Sequence, residues 1–178
     1  MPWAGKKRSV EELVEAHYRC LFAFAFRLSG SVQEAEDLTQ DTFCQAQSKL
    51  TQLREWERAK SWLFTILRNL YLHRVRASKT ANEVPMDEVG DLPDRLPEPL
   101  PEVDPEKLQL ALNQLPEGWR TPLILFYFED FSYRDIADQM NVPLGTIMSR
   151  LARAKAFLRG RLLQNGAVAL AHHNKEGE

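Results

Sequence analysis

The sequence predicts an all-α protein: two small helical domains joined by an acidic, proline-rich linker, the second domain a helix-turn-helix. Three observations carry this. Apolar residues recur at helical spacing through most of the chain. No stretch keeps the two-residue alternation of a strand. A run of prolines and acids separates the periodic segments into two groups. The 178 residues suffice for one domain of ordinary size or two small ones.

The first helix is expected to open at Ser9, with Glu12 three residues on in the capping-box pattern. Val10, Leu13, Val14, His17, Leu21, Phe24 and Leu28 then fall on one face. Gly30 supplies the stop, because a helix commonly ends on a residue in the left-handed conformation that glycine adopts at little cost. Ser31 and Glu34 form a second capping-box pattern. They open a helix whose inner face carries Val32, Ala35, Leu38, Thr42, Phe43 and Ala46. A third helix spans about Ala59 to Arg76 on the stripe Trp62, Leu63, Ile66, Leu67 and Leu70. Cys20, Cys44 and His17 lie on or beside apolar faces and are expected to be core residues, since a buried cysteine behaves as a small hydrophobe.

Residues 78–106 hold nine acids against Lys79 and Arg95, a net charge of −7, and six of the ten prolines. Proline removes backbone donors and breaks helix interiors, and like charges resist compaction, so this stretch reads as an extended linker. The predicted organisation is a first domain at 1–79, a linker at 80–106, a second domain at 107–165 and a tail at 166–178. In the second domain, helices are expected over Leu108–Leu115 and Trp119–Phe128, with Pro122 near the start of its helix or kinking it.

Ser132 and Asp135 then cap a helix over Tyr133–Met140. Asn141 tolerates the left-handed conformation of a sharp turn, and Pro143 presets the first turn of the next helix. On that helix Ile147, Leu151, Ala154, Leu158 and Leu162 form an inward stripe, and Ala137 is small enough for the two helices to cross closely. A helix, a short turn and a second helix so patterned is a helix-turn-helix. Its outward face presents Gly145, Ser149, Ala152, Arg153 and Ala156, flanked by Met148 and Arg150. Arg153 can donate two hydrogen bonds to guanine, and Ser149 can reach a base or a phosphate. Arg150, Lys155, Arg159 and Arg161 suit phosphates, which set affinity and register rather than sequence.

Composition narrows the function classes. Hydrophobic residues at 44% and charged residues at 27% are globular proportions. The longest apolar run, Pro122 to Phe128, is far short of the ~20 residues of a membrane helix. No signal-peptide core follows the first residues, so a cytoplasmic protein without membrane insertion is expected. Two cysteines and four histidines form no metal-ligand spacing. No nucleophile–base pair or glycine-rich phosphate loop occurs, so no catalytic residue, metal or cofactor is expected, and the protein is not expected to be an enzyme. The net charge of −2 averages opposing blocks. Residues 9–48 hold seven acids against two bases, residues 49–77 hold seven bases against two acids, and residues 144–163 hold five bases and no acid. Two basic faces suit a polyanion. The blander alternative is solvated helix surface.

The segment Phe131–Leu162, with its words SYRDIA, VPLGTI and SRLARAK, closely resembles the promoter-binding C-terminal domain of extracytoplasmic-function (ECF) sigma factors of bacterial RNA polymerase. EAEDLTQDTF (Glu34–Phe43) resembles their polymerase-binding motif, and SWLFTILRNLYLHRVRASK (Ser61–Lys79) the helix facing the promoter −10 element. The three motifs stand in order, and the resemblance covers about residues 10–165. The resemblance implies that Glu36, Asp37, Gln40 and Asp41 face the clamp helices of the large polymerase subunit, with Leu38 and Phe43 inward or at the seam. It implies that Thr146, Met148, Ser149, Arg150, Ala152, Arg153 and Lys155 form the −35 interface. Met148 and Ala152 depart from the longer or more polar residues that family members often carry. The loop at about Gln52–Lys60 matches the −10 reading loop.

That loop suits single-stranded DNA on its own chemistry. Trp56 can stack on an unpaired base, worth ~1–3 kcal/mol, and Arg54, Arg58 and Lys60 can hold phosphates. Arg68, Asn69, Arg74 and Arg76 can contact duplex or fork DNA from the third helix. Trp62, Phe64 and Tyr71, at helical spacing, read more simply as core. The implied partners are core RNA polymerase, promoter DNA and an anti-sigma protein. The implied linker role is to enter the polymerase's RNA exit path. Two rivals are a stand-alone helix-turn-helix regulator, which leaves EDLTQDTF unexplained, and a helical adaptor, which leaves the basic recognition face without purpose.

Overall fold

A computed structural model of the chain describes residues 9–78 and 104–173, with side chains described for 9–77 and 104–162. Most of the expected linker lies outside the described residues. Among the described residues there are seven α-helices and two 3₁₀ turns, and no strand. The chain divides between residues 83 and 84 into two compact units.

The first unit is a three-helix bundle: α1 (Val10–Ser29), α2 (Val32–Ser48) and α3 (Ala59–Ser78). Gly30 ends α1 at φ 74°, and its N–H donates to the carbonyl of Phe26 at 2.7 Å. The Ser31 hydroxyl accepts from the Glu34 N–H at 3.3 Å, giving α2 its cap. The capping box expected at Ser9 does not form. Ser9 occupies the N-cap position, but its side chain caps no backbone N–H. It hydrogen-bonds the neighbouring Glu11 carboxylate instead and, after that group's own backbone N–H, helps hold its pKa down.

The core of this unit is aromatic and aliphatic. Phe24 and Phe64 are fully buried, with ring centroids 4.8 Å apart, and Leu13, Leu21, Leu38, Leu63 and Leu67 close around them. Each such side chain stabilises the bundle by roughly 1.5–3 kcal/mol. The buried Tyr71 hydroxyl donates to the carbonyl of Leu28 at 3.0 Å, tying α3 to the end of α1. Buried Thr39 and Thr42 satisfy their hydroxyls on α2's own carbonyls at 2.7 and 2.6 Å, so neither hydroxyl is stranded.

Four inward expectations need correction. Val32, the first residue of α2, is 57% exposed. Cys44 is exposed on the outer side of α2, and Cys20 and His17 are half-buried. Burial, with the charge of Lys60 as a smaller cause, lowers the pKa of His17.

The second unit holds α4 (Pro105–Asn113), α5 (Glu117–Glu129), α6 (Tyr133–Met140) and α7 (Leu144–His173). Asp104 caps α4, accepting from the Glu106 N–H at 2.9 Å, with Pro105 at the first position where its missing N–H costs nothing. Helix α4 therefore starts before Leu108, inside the stretch assigned to the linker. Arg120 donates to the carbonyls of Asn113 and Leu115 at 2.9 and 2.8 Å, closing the α4–α5 turn. Pro122 lies within α5, and Asp130 ends that helix in the left-handed region at φ 59°. Helix α7 continues through residues 166–173, which the sequence assigned to a tail.

Candidate nucleic-acid and polymerase interfaces

The helix-turn-helix follows from local chemistry at each junction. Ser132 and Asp135 form a complete capping box, the Asp135 N–H donating to the Ser132 hydroxyl at 3.1 Å and the Ser132 N–H to the Asp135 carboxylate at 3.2 Å. Asn141 sits at φ 53°, ψ 50°, where its short polar side chain is tolerated. The N–H of Val142 bonds back to Ala137 at 3.1 Å and that of Asn141 to Asp138 at 3.3 Å, so the end of α6 is satisfied by a Schellman turn. Pro143 then accepts from Thr146 at 3.0 Å and begins α7. Tyr133 stacks on Phe126 at 4.7 Å, fixing α6 on α5, and burial raises its hydroxyl pKa.

Ile147, Leu151, Ala154 and Leu158 are buried as the spacing predicts, and Leu162 is half-buried. That leaves Gly145, Met148, Ala152, Ala156 and Arg159 exposed and Thr146, Ser149, Arg150, Arg153 and Lys155 partly exposed on the outer surface. Every expected −35 residue is thus solvent-accessible on one helix. Among the described residues no carboxylate forms an ion pair with Arg150 or Arg153.

On α2, Glu36, Asp37, Gln40 and Asp41 are all exposed, while Leu38 and Phe43 are buried. Phe43 lies at the seam, its ring stacked on Tyr18 of α1 at 6.5 Å, and Tyr18 stacks in turn on Phe22 at 6.3 Å. Tyr18 is 43% exposed beside this face and was missed by sequence reasoning. Its position on α1 gives no sign that α2 leaves it uncovered.

The expected −10 residues divide. The Gln52–Lys60 stretch is not a plain loop: 3₁₀ turns at Leu50–Gln52 and Trp56–Arg58 flank a short extended link. Trp56 is half-buried, and Arg54 and Arg58 are exposed. Arg58 pairs with Glu55 at 2.7 Å, and Lys60 sits over the Phe64 ring at 5.6 Å. On α3, Asn69 and Arg76 are exposed, Arg68 is half-buried, and Arg74 pairs with Asp41 of α2 at 2.5 Å. The structure thus joins a residue expected to face DNA to one expected to face polymerase. Phe64 and Tyr71 are core, and Trp62 is half-buried.

Among the described residues no group of three His, Cys, Asp or Glu side chains is placed to hold a metal ion, and no helix is long and apolar enough to cross a membrane.

A three-helix bundle with an acidic outer helix, together with a helix-turn-helix unit whose second helix is basic, is the architecture of a two-unit DNA-binding protein. Residues 13–80 match the sigma-70 region 2 family and residues 106–158 the sigma-70 region 4 family. The chain is 33% identical to the ECF RNA polymerase sigma factor EcfG of Rhodopseudomonas palustris, over 89% of this chain and 88% of that protein. It is also 33% identical to the ECF RNA polymerase sigma factor SigE of Mycolicibacterium smegmatis, over 89% of this chain but only 63% of that longer protein. Among solved structures, it resembles the sigma factor RpoE of Bartonella quintana, in complex with the anti-sigma factor NepR, with 32% identity, a TM-score of 0.69 and coverage of 85% of this chain and 95% of that one. The chain belongs to the ECF RNA polymerase sigma factor family, whose members direct promoter-specific transcription initiation by RNA polymerase.

Proposed function

We propose a division of labour among named surfaces. The exposed α2 face of Glu36, Asp37, Gln40 and Asp41 docks on the basic clamp helices of core polymerase, with Leu38 and Phe43 holding that face from behind. Helix α7 enters the −35 major groove with Thr146, Met148, Ser149, Arg150, Ala152, Arg153 and Lys155. The stretch from Arg54 to Lys60, with Trp56, and the α3 residues Arg68, Asn69, Arg74 and Arg76 trap unpaired −10 bases and their phosphates. The expected domains at 1–79 and 107–165 are joined by a linker that enters the RNA exit path and gives way to α4 at Pro105.

The observation that carries this reading is the charge segregation of two exposed helices: acids gathered on α2 of one unit, bases on α7 of the other. Each DNA interface is small, so tight promoter binding requires polymerase to tether both, as for any pair of linked modules. Recognition and melting make or break no covalent bond, so the chain is not itself an enzyme. It works where core polymerase is, in the cytoplasm. The Bartonella quintana relative is held by an anti-sigma factor, and an anti-sigma protein is the expected regulator here.

The test is reconstitution with bacterial core polymerase on a mixed promoter library, followed by transcript mapping. Transcripts that depend on the chain, and are lost with Asp37→Arg or Arg153→Ala, support the reading. Binding of the isolated chain to one operator, indifferent to core polymerase, would instead identify a stand-alone regulator.

A further inference from the structure

We propose that α7 reads thymine through its C5-methyl group, and that Met148, with Ala152 beside it, is the side chain that selects this base. The inference rests on reading α7 as a major-groove helix.

Over its first turns the inward positions of α7 are filled by Ile147 and Leu151, and the outer surface is unusually poor in donors. Met148 is 46% exposed, and Leu144, one turn earlier, is 46% exposed as well. Large apolar side chains so placed on a helix end are left in water by the folded unit itself. Gly145 carries no side chain although a Cβ there would meet nothing within 4 Å, so packing does not demand the bareness. Ser149 donates its hydroxyl to the carbonyl of Thr146 at 2.9 Å, which commits its one donor to the helix backbone. A base edge meeting Gly145, Met148 and Ala152 therefore finds apolar surface, bordered by the hydroxyls of Thr146 and Ser149 and by the long donors Arg150 and Arg153.

Among the four bases, only thymine projects an apolar group into the major groove. The occupant is DNA rather than an apolar protein groove because Arg150, Arg153, Lys155 and Arg159 border the same surface and match phosphate charge. The arrangement separates two tasks: cations hold the duplex, and the thioether and methyl carbons of Met148 and Ala152 choose the base.

The experiment uses the full chain with core polymerase and a promoter selected from a library randomised at the −35 element. Each thymine of the selected element is then replaced singly by deoxyuridine, which removes only the methyl group. At one or two positions holoenzyme binding is expected to weaken about fourfold, the factor that burying one methyl group supplies. That penalty is expected to fall below twofold in Met148→Ala, with folding verified by circular dichroism. Met148→Gln keeps the length but presents an amide, and reselection is expected to move the preferred base at that position toward adenine. The inference is overturned if the selected element lacks thymine, if uridine costs less than twofold everywhere, or if the penalty is the same in wild type and Met148→Ala. It is also overturned if Met148→Ala leaves DNA binding intact and weakens a protein contact instead. Absence of chain-dependent transcripts would overturn the promoter reading itself, whereas transcripts with uridine-blind binding would overturn this inference alone.

Discussion

The two units differ in which of their cations carry a carboxylate partner. In the first, several cations expected to meet DNA already have partners within the unit: Arg58 on Glu55, Arg74 on Asp41, and Lys60 over Phe64. In the second, Arg150 and Arg153 stand on α7 with no carboxylate paired to them among the described residues. On the proposed reading, α7 offers Arg150 and Arg153 to a duplex with no carboxylate to displace, whereas the first unit would trade the Arg58–Glu55 and Arg74–Asp41 pairs for nucleic acid. On that reading the trade is helped when another surface, the α2 face, is engaged at the same time. Asp41 sits at that junction, on the acidic helix and paired with Arg74 of α3, which is expected to face DNA.

The comparison supposes that each unit has its own core, and the largest expected effect tests this. Phe64→Ala removes half of the buried Phe24–Phe64 pair and is expected to cost the first unit about 3–5 kcal/mol. Denaturant unfolding followed by hydrogen exchange should show protection lost in residues 10–78 while α5–α7 keep theirs. Equal loss in both units would mean that they fold as one.

Next in size, Arg153→Ala is expected to cost about 1–3 kcal/mol of discrimination at one −35 base pair, while Lys155→Ala weakens binding across sequences and flattens the salt dependence. Promoter competition at two salt concentrations separates the two. Identical behaviour would mean that α7 does not divide base from phosphate contacts.

The caps supply a third contrast. Ser132→Ala breaks a complete capping box and should lower the stability of the second unit by about 1 kcal/mol, whereas Ser9→Ala removes no backbone cap and should change the first by a few tenths at most. Thermal melts of the two variants measure both.

The Asp41–Arg74 pair is mostly solvent-exposed, so a double-mutant cycle with Asp41→Asn and Arg74→Gln should return a coupling of only about 0.2–1 kcal/mol, shrinking in high salt. The same Asp41→Asn change should raise the affinity of the free chain for single-stranded DNA, because it releases Arg74. No change there would break the idea that the first unit trades internal pairs for DNA.

The smallest effect is a pH slope. Burial, then Lys60, lowers the pKa of His17 in the folded unit below the ordinary value of 6.5. The unfolded chain therefore binds a proton first as pH falls through 6.5, so this group's contribution is full above that value and declines below it. His17→Gln should flatten the slope of first-unit stability over that range. Cys44, exposed on α2, provides a thiol-labelling handle that should lose reactivity when the acidic face is covered by polymerase.

Sequence alone determined the helical character of both units, most helix stops and caps, the order of the motifs and the family resemblance. Those rest on local rules: Gly30 and Asn141 at left-handed stops, Ser31 and Ser132 at caps, and Ile147, Leu151, Ala154 and Leu158 at one-turn spacing. Each is decided within a few residues, so each can be read along the chain. What the sequence could not determine depends on neighbours distant in the chain. Asp41 and Arg74 lie on different helices, and nothing local pairs them. Val32, Cys44 and Tyr18 have apolar character, yet each is left in water to a degree set by where the next helix ends. The hydroxyl of Ser149 looked like a base donor until the backbone of its own helix took it. Tertiary structure decided these because burial and pairing depend on the whole arrangement of helices, whereas helix ends and stripes depend only on the chain's nearest turns.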